Sequence, residues 1–428
     1  MSWRVAWRGR ELLLLLVAAL PALVGTATAT ASRLGELALP ALAPVLVFFA
    51  AALAFHLLLC LAGSRGDPLL LPVSVLLSAL GLVFVSRLDP ALGQRQLVWL
   101  VLGLVVAGAT FLLTRELGWL RRFKYSLATV GLGIVALTFV FGQDLNGSGA
   151  RLWLGGGGLY FQPSELLKVL LVVFLAAYLD EHAAILARGS YRLGPLPLPP
   201  IPYLIPLLVM WGLAVALLVV QRDLGAALLF FGIFVAMLYL ASGRWLYLAG
   251  AGVAFAGAVW IAYHLVPVFH QRVQAWIDPW SQPSGLGMQS IQGLIALAAG
   301  GVFGSGLGLG RPGYVPAVHT DFILAAIGEE AGLAGTLALL VLYAVLIGRG
   351  FRLAARARSL FTTLLAAGLV TILGVQTFVI LAGVLRLLPL TGITLPFVSY
   401  GGSSIVTNYV LLGLLLRLAA DEAKARHG

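Results

Sequence analysis

The 428-residue sequence predicts an all-α, polytopic membrane protein of about twelve transmembrane helices. Three observations lead there. The chain is 61% hydrophobic and only 10% charged, with a mean hydropathy of +1.02. Apolar runs of roughly 17–25 residues recur along it, the length a helix needs to cross a hydrocarbon core of about 30 Å. Backbone amides in hydrocarbon must bond within their own segment, so such runs are helices.

In order, the spans are expected near 11–30, 40–62, 69–86, 97–113, 125–141, 165–180, 201–220, 224–241, 246–266, 326–348, 361–385 and 404–419. The first run, with Arg8 and Arg10 before LLLLLVAAL and small residues after it, also fits a secretory signal peptide. Pro21 and the run's continuation to about residue 30 suit a membrane helix equally well. Between spans 9 and 10 lies a large, partly helical loop, 267–325. No hydrophilic stretch is long enough for a soluble domain. The segment 181–200 ends in GPLPLPPIP, which reads as a stiff extended connector.

The net charge of +11 reports topology and excludes a nucleic-acid role. With the N-terminus inside, eighteen Lys and Arg residues fall in inner loops and eight in outer ones. That bias places both termini in the cytoplasm and loop 267–325 outside. The basic segment 349–360 reads as a juxtamembrane stretch against anionic headgroups. Cys60 is the sole cysteine, so no intramolecular disulfide forms.

Five polar groups stand out on the outer side. In RLWLGGGGLYFQPSELLK, Arg151 precedes a glycine loop, and Pro163 opens a helix carrying Glu165 and Lys168 one turn apart. Lys168 is the only lysine inside a span, where a charge costs roughly 2.5–3.5 kcal/mol on insertion scales. It is either neutralised by Glu165 or held as a cation for a phosphate-bearing ligand. Gln221, Arg222 and Asp223 form a turn with almost no loop and are expected to bond one another. Arg272 to Gln292 contains Asp278-Pro279 and Gln282-Pro283, then Gln289 and Ser290 ahead of a glycine run. His319, Asp321, Glu329 and Glu330 lead into span 10, and two consecutive carboxylates entering an apolar helix point to function. The segment 388–404 has no charged side chain. Its prolines and Gly401-Gly402 predict a re-entrant turn, either a structural plug or a cavity lining in which Ser399, Tyr400, Ser403 and Ser404 hydrogen-bond a sugar or pyrophosphate.

QPSELLK, QRDLG, RVQAWIDPW, VHTDFILAAIGEE and LPFVSYGGSS, in this order and spacing, resemble the SEDS family (shape, elongation, division and sporulation). The resemblance runs from about residue 69 to the end and implies a ten-helix core over 64–428. Residues 1–63 are then an N-terminal extension of two helices. It also implies a peptidoglycan glycosyltransferase that polymerises lipid II on the outer face of the bacterial cytoplasmic membrane, with a class B penicillin-binding protein as partner. Cations such as Lys168, Arg151, Arg222 or Arg272, or a divalent ion (Mg2+ or Mn2+), would stabilise the departing pyrophosphate.

The family pattern, D/N-P-x-x-D-P, places its catalytic aspartate where this chain has Gln282. A glutamine amide takes no proton at pH 7. Asp278 then serves as base, or another carboxylate such as Asp321 does, or polymerase activity is lost. A lipid II-binding scaffold and a lipid-linked precursor flippase are the alternatives. A flippase needs polar groups in the inner halves of the spans, where the sequence shows none.

Overall fold

The computed structural model describes residues 8–36, 39–145, 150–157, 159–188, 191–193, 196–198 and 201–427. Among them, twelve helices are long and apolar enough to cross a bilayer, as the sequence predicts. In chain order the helices are α1 (Gly9–Leu34), α2 (Ala43–Leu61), α3 (Leu70–Leu88), α4 (Pro90–Leu113), a short α5 (Gly118–Arg122) and α6 (Lys124–Phe141). Then come α7 (Pro163–Arg188), α8 (Ile201–Val220), α9 (Leu224–Ser242), α10 (Trp245–Leu265), α11 (Pro267–Ile277) and α12 (Leu286–Gly300). The chain closes with α13 (Ile323–Arg356), α14 (Leu360–Val384) and α15 (Gly402–His427).

Two compact units divide the chain. The first comprises residues 1–115, 272–350 and 376–428, and the second 116–271 and 351–375. In the first unit, small residues let helices approach closely, which is how helices associate in lipid, where apolar side chains gain nothing by leaving the solvent. Gly103 of α4 faces the ring of Tyr409 on α15, whose hydroxyl reaches Ser78 Oγ of α3 at 3.0 Å. Leu15, Ala18, Ala22 and Ala29, spaced three, four and seven apart, form the buried stripe of α1, which packs on α3. Leu13, Leu16, Leu20 and Val24 on its other side are exposed, as lipid-facing residues should be.

One feature of α1 and α2 corrects the sequence reading. Glu11 and His56 are buried polar groups in the halves of these spans that the charge bias assigns to the inner side, where none was expected. Glu11 pairs with Arg8 and accepts from His56 Nδ1 at 2.7 Å.

The second unit packs α7 against α6 and α9. Lys124 and Arg121 pair with Glu181 and Asp180 at the end of this cluster. Two segments read as loop or connector are antiparallel ribbons instead. β1 (Leu154–Gly156) pairs with β2 (Leu159–Phe161), and β3 (Tyr191–Leu193) with β4 (Leu196–Leu198). Glycine-rich or proline-rich composition hid their two-residue alternation. Residues 189–190, 194–195 and 199–200 of the connector, and Gly158, lie outside the described residues.

The connection from α12 to α13 is irregular and is tied to α13 by backbone hydrogen bonds. Gly332 interrupts α13 with φ 68° and ψ −169°. The kink aims the N–H groups of Leu333 and Ala334 at the carbonyls of Gly301 (3.0 Å) and Val302 (2.9 Å). Ser305 and Gly306 donate in return to the carbonyls of Glu329 (2.9 Å) and Glu330 (3.0 Å). A Cβ at Gly332 would strike the backbone of Val302, Phe303 and Gly304. Gly332→Ala should therefore cost more than the strain of a left-handed alanine alone, at least about 2 kcal/mol. A fall in melting temperature in detergent, read by tryptophan fluorescence, checks this.

Candidate active site

The first unit holds a cleft of about 60 Å³ whose polar lining is Arg272, Trp276, Gln289, Ser290, Asp321 and Arg386. Four separate segments supply these groups. Arg272 and Trp276 lie one turn apart on α11, and Gln289 and Ser290 sit on the first turn of α12. Asp321 lies two residues before α13, and Arg386 two residues past α14.

Two arginines fix the walls. Arg386 adopts a left-handed backbone (φ 58°) and donates through Nη2 to the carbonyl of Trp276 at 2.7 Å, capping the open end of α11. Trp276 Nε1 returns a bond to the Arg386 carbonyl at 2.8 Å. Arg272 Nη1 reaches the carbonyls of Leu390 and Thr391, both at 3.4 Å. The base of the cleft is latched by Ser399 Oγ, which donates to the Thr320 carbonyl at 2.6 Å, and by Tyr400 N–H, which donates to that of His319 at 2.8 Å.

Asp321 is the electrostatic centre. Burial pushes its carboxyl up to about 6, against the opposing pull of a Thr320 hydrogen bond and the Arg272 guanidinium. Next to it, burial pushes the imidazole of His319 below its ordinary value, with the Asp89 carboxylate opposing. The arrangement can accept a proton near neutral pH and stabilise negative charge beside it.

The other residues singled out from the sequence are placed as follows. Asp278 is exposed and accepts Trp280 N–H at 3.1 Å, capping the 3₁₀ turn Pro279–Ser281. Gln282 is half-buried at the end of that turn, its N–H on the Pro279 carbonyl at 3.2 Å. Neither lines the cleft. Glu329 and Glu330 are buried and organise the glycine loop. Glu329 accepts Arg311 N–H at 2.6 Å, and Glu330 accepts Gly308 N–H at 3.1 Å and pairs with Arg87 at 2.9 Å. Ser404 Oγ accepts from Thr394 Oγ1 at 2.7 Å and sits with buried Ser403 at the start of α15.

In the second unit, Lys168 is 1% exposed and pairs with Glu165 at 2.6 Å. Asp223 caps α9 through Ala226 N–H (3.0 Å) and accepts from Gln162 Nε2 at 3.1 Å. Gln221 bonds the Val135 carbonyl at 3.2 Å, while Arg222, with φ 63°, is exposed like Arg151. The Gln-Arg-Asp turn thus bonds outward to α6 and the α7 entrance rather than within itself. Among the described residues no three His, Cys, Asp or Glu side chains converge to hold a metal, and Asp321 is faced by a guanidinium. These residues do not form a cage for a divalent ion.

Sequence reasoning missed Arg386 and Trp276 as site residues, and it named Gln289 and Ser290 only as part of the polar loop. The available signal was Arg386 itself, a basic side chain at the edge of an otherwise uncharged segment.

The sequence model of the FtsW, RodA and SpoVE proteins, described as "Cell cycle protein", matches residues 67–424. The chain belongs to this family. Membership agrees with the SEDS resemblance of its motifs. Peptidoglycan glycosyltransferase RodA of Mycobacterium tuberculosis is 40% identical over 365 residues, covering 82% of this chain and 78% of that protein. Probable peptidoglycan glycosyltransferase FtsW of Trichlorobacter lovleyi is 33% identical, covering 83% and 93%. A chain solved in work on the coordination of polymerization and crosslinking by a peptidoglycan synthase complex superimposes with a TM-score of 0.70 at 31% identity, over 84% of this chain and 98% of that one. The rod shape determining protein RodA of Thermus thermophilus gives 0.60 at 30% identity over the same shares. These likenesses cover the segments that build the cleft.

The raised Asp321 value has a consequence for stability. A carboxyl whose folded pKa lies near 6, above its ordinary 3.8, binds more protons folded than unfolded between those values. Stability therefore declines as pH rises from about 4 to 6 and is flat above. Asp321→Asn should remove that slope, raising stability above pH 6 by on the order of 2–3 kcal/mol and leaving it unchanged near pH 4. Melting temperatures of both proteins across pH 4–8 in detergent read the difference.

Proposed function

We propose that the chain is a peptidoglycan glycosyltransferase that polymerises lipid II into glycan strands on the outer face of the bacterial cytoplasmic membrane, with both termini cytoplasmic. A class B penicillin-binding protein is its partner. Family membership supports the reaction class, and the positive-inside bias supports the orientation.

The observation that carries the mechanism is the Asp321 carboxyl, tuned to about 6 in a cleft it shares with Arg272. Asp321 takes the proton from the 4-hydroxyl of the incoming lipid II as that oxygen attacks the anomeric carbon of the growing chain. The bond to undecaprenyl pyrophosphate breaks on the opposite side, with inversion. Arg272 and Arg386 stabilise the negative charge around the attacking centre. Gln282 holds no proton-accepting group, and Asp278, exposed on the neighbouring turn, is the rival base. In the second unit, Lys168, buried and held by Glu165, is a cation of the kind that binds a phosphate group.

The test is glycan-strand formation from labelled lipid II by the full chain with its class B partner in proteoliposomes. Asp321→Asn should lower turnover by about 100-fold or more, and Asp278→Asn by less than about tenfold. Wild-type turnover should rise with pH through a midpoint near 6. Loss of activity in Asp278→Asn with Asp321→Asn active would move the base to Asp278. A wild-type protein that binds its partner and makes no glycan would leave a scaffold.

A further inference from the structure

The matched family region begins at residue 67, so α1 and α2 lie outside it. They are nevertheless connected to α13, the helix that follows Asp321, through Asp67 at one end and through the glycine loop at the other. At one end of α1, Arg8 and Glu11 form a buried ion pair that His56 of α2 completes. Arg8 also reaches Ser64 Oγ at 2.9 Å and the Asp67 carbonyl at 3.3 Å. Asp67 in turn accepts from Arg349 Nε of α13 at 2.7 Å. Removing one partner of such a buried charge group leaves the others uncompensated, so the group acts as a fixed anchor.

At its other end, α1 meets the glycine loop. A Cβ at Gly25 would sit 3.3 Å from Val83 of α3 and 3.7 Å from Leu307. Gly308 lies against Ser32, so closely that a Cβ there would collide with the serine hydroxyl. Gly308 is the residue whose N–H is held by Glu330 of α13 and whose carbonyl accepts from Arg87 at 3.3 Å. Between the two ends runs the buried stripe from Leu15 to Ala29, packed on α3.

We propose that α1 is a strut that positions the 301–321 loop: anchored by the Arg8–Glu11–His56 group, it sets the height at which Ser32 supports Gly308 and hence where the loop delivers Asp321. The segment between Gly308 and Asp321 is pinned at Arg311 by Glu329 and at Thr320 by Ser399, leaving little slack to absorb a displacement. Ser32 and Glu11 are positioning residues and touch no reacting atom. The catalytic consequence rests on the polymerase reading above, and the structural one does not.

Ser32→Leu, a change on the surface of α1 that presses on Gly308, tests this in the full chain with its class B partner. Amide hydrogen exchange of residues 301–321 should speed up by about tenfold in the glycine loop, and polymerisation kcat should fall by about tenfold with KM for lipid II within about twofold. Thr28→Leu, one turn earlier on an exposed face, should change neither. Glu11→Gln should act like Ser32→Leu from the far end. A Ser32→Leu protein with unaltered melting temperature, loop exchange and kcat would overturn the proposal. If the wild-type protein makes no polymer, loop exchange alone decides, so failure of the polymerase reading and failure of the strut are told apart.

Discussion

Glu330, a carboxylate with 1% of its surface exposed inside a membrane-spanning helix, is the constraint on which the first unit depends. A charge at that depth persists only with a partner and with its lone pairs bonded. Arg87 supplies the partner, and Gly308 N–H one of the bonds. The same contacts solve a second problem. Irregular backbone packed against a helix is tolerated only where its polar groups find partners. The kink at Gly332 frees α13 amides to bond the loop carbonyls, and the loop returns its own amides to the α13 carbonyls. Glycines are needed there because the backbones touch. A Cβ at Gly304 would strike the carbonyl of Glu330.

This arrangement explains why the sequence was legible in some places and not in others. Long apolar runs declare themselves, because bilayer thickness and amide bonding leave one solution. The polar groups are harder. Two adjacent carboxylates at the start of a span look like chemistry, and in the fold Glu329 and Glu330 also accept from loop amides 18 and 22 residues back in the chain. The sequence does carry the sign of this, in the glycines that precede them, but only pairing shows that carboxylate and glycine serve each other. The Gln-Arg-Asp turn misled in the opposite way. Adjacent charges invite a local ion pair, but the left-handed backbone at Arg222 aims its neighbours outward.

The cleft shows what no linear reading reaches. Asp321 and Arg272 were visible as unusual polar residues, while their convergence with Arg386, Gln289 and Ser290 depends on a clasp between α11 and the segment after α14. Arg386 can cap α11 only because its own backbone is left-handed, a conformation a bulky residue adopts at a cost of order 1 kcal/mol or more. The reciprocal bond from Trp276 offsets that strain. The guanidinium is thereby held at the cleft wall as part of the fold, ready before any anion arrives, which is the condition for electrostatic stabilisation without reorganisation.

The turn that carries Gln282 is bonded at several points: Asp278 caps it, Ser281 Oγ bonds the Asp278 carbonyl at 2.7 Å, and Gly287 packs so closely that a Cβ would strike the carbonyls of Pro279 and Gln282. An amide in place of a carboxylate leaves this geometry intact, since the bonds that shape the turn come from Asp278 and the backbone. Asp278 and Gln282 both lie off the cleft, so the Asp321 carboxyl owes its value near 6 to burial, opposed by the Thr320 hydrogen bond and the Arg272 guanidinium. Burial alone would carry it further up, and the guanidinium restrains it to the range in which a carboxyl exchanges protons near neutral pH.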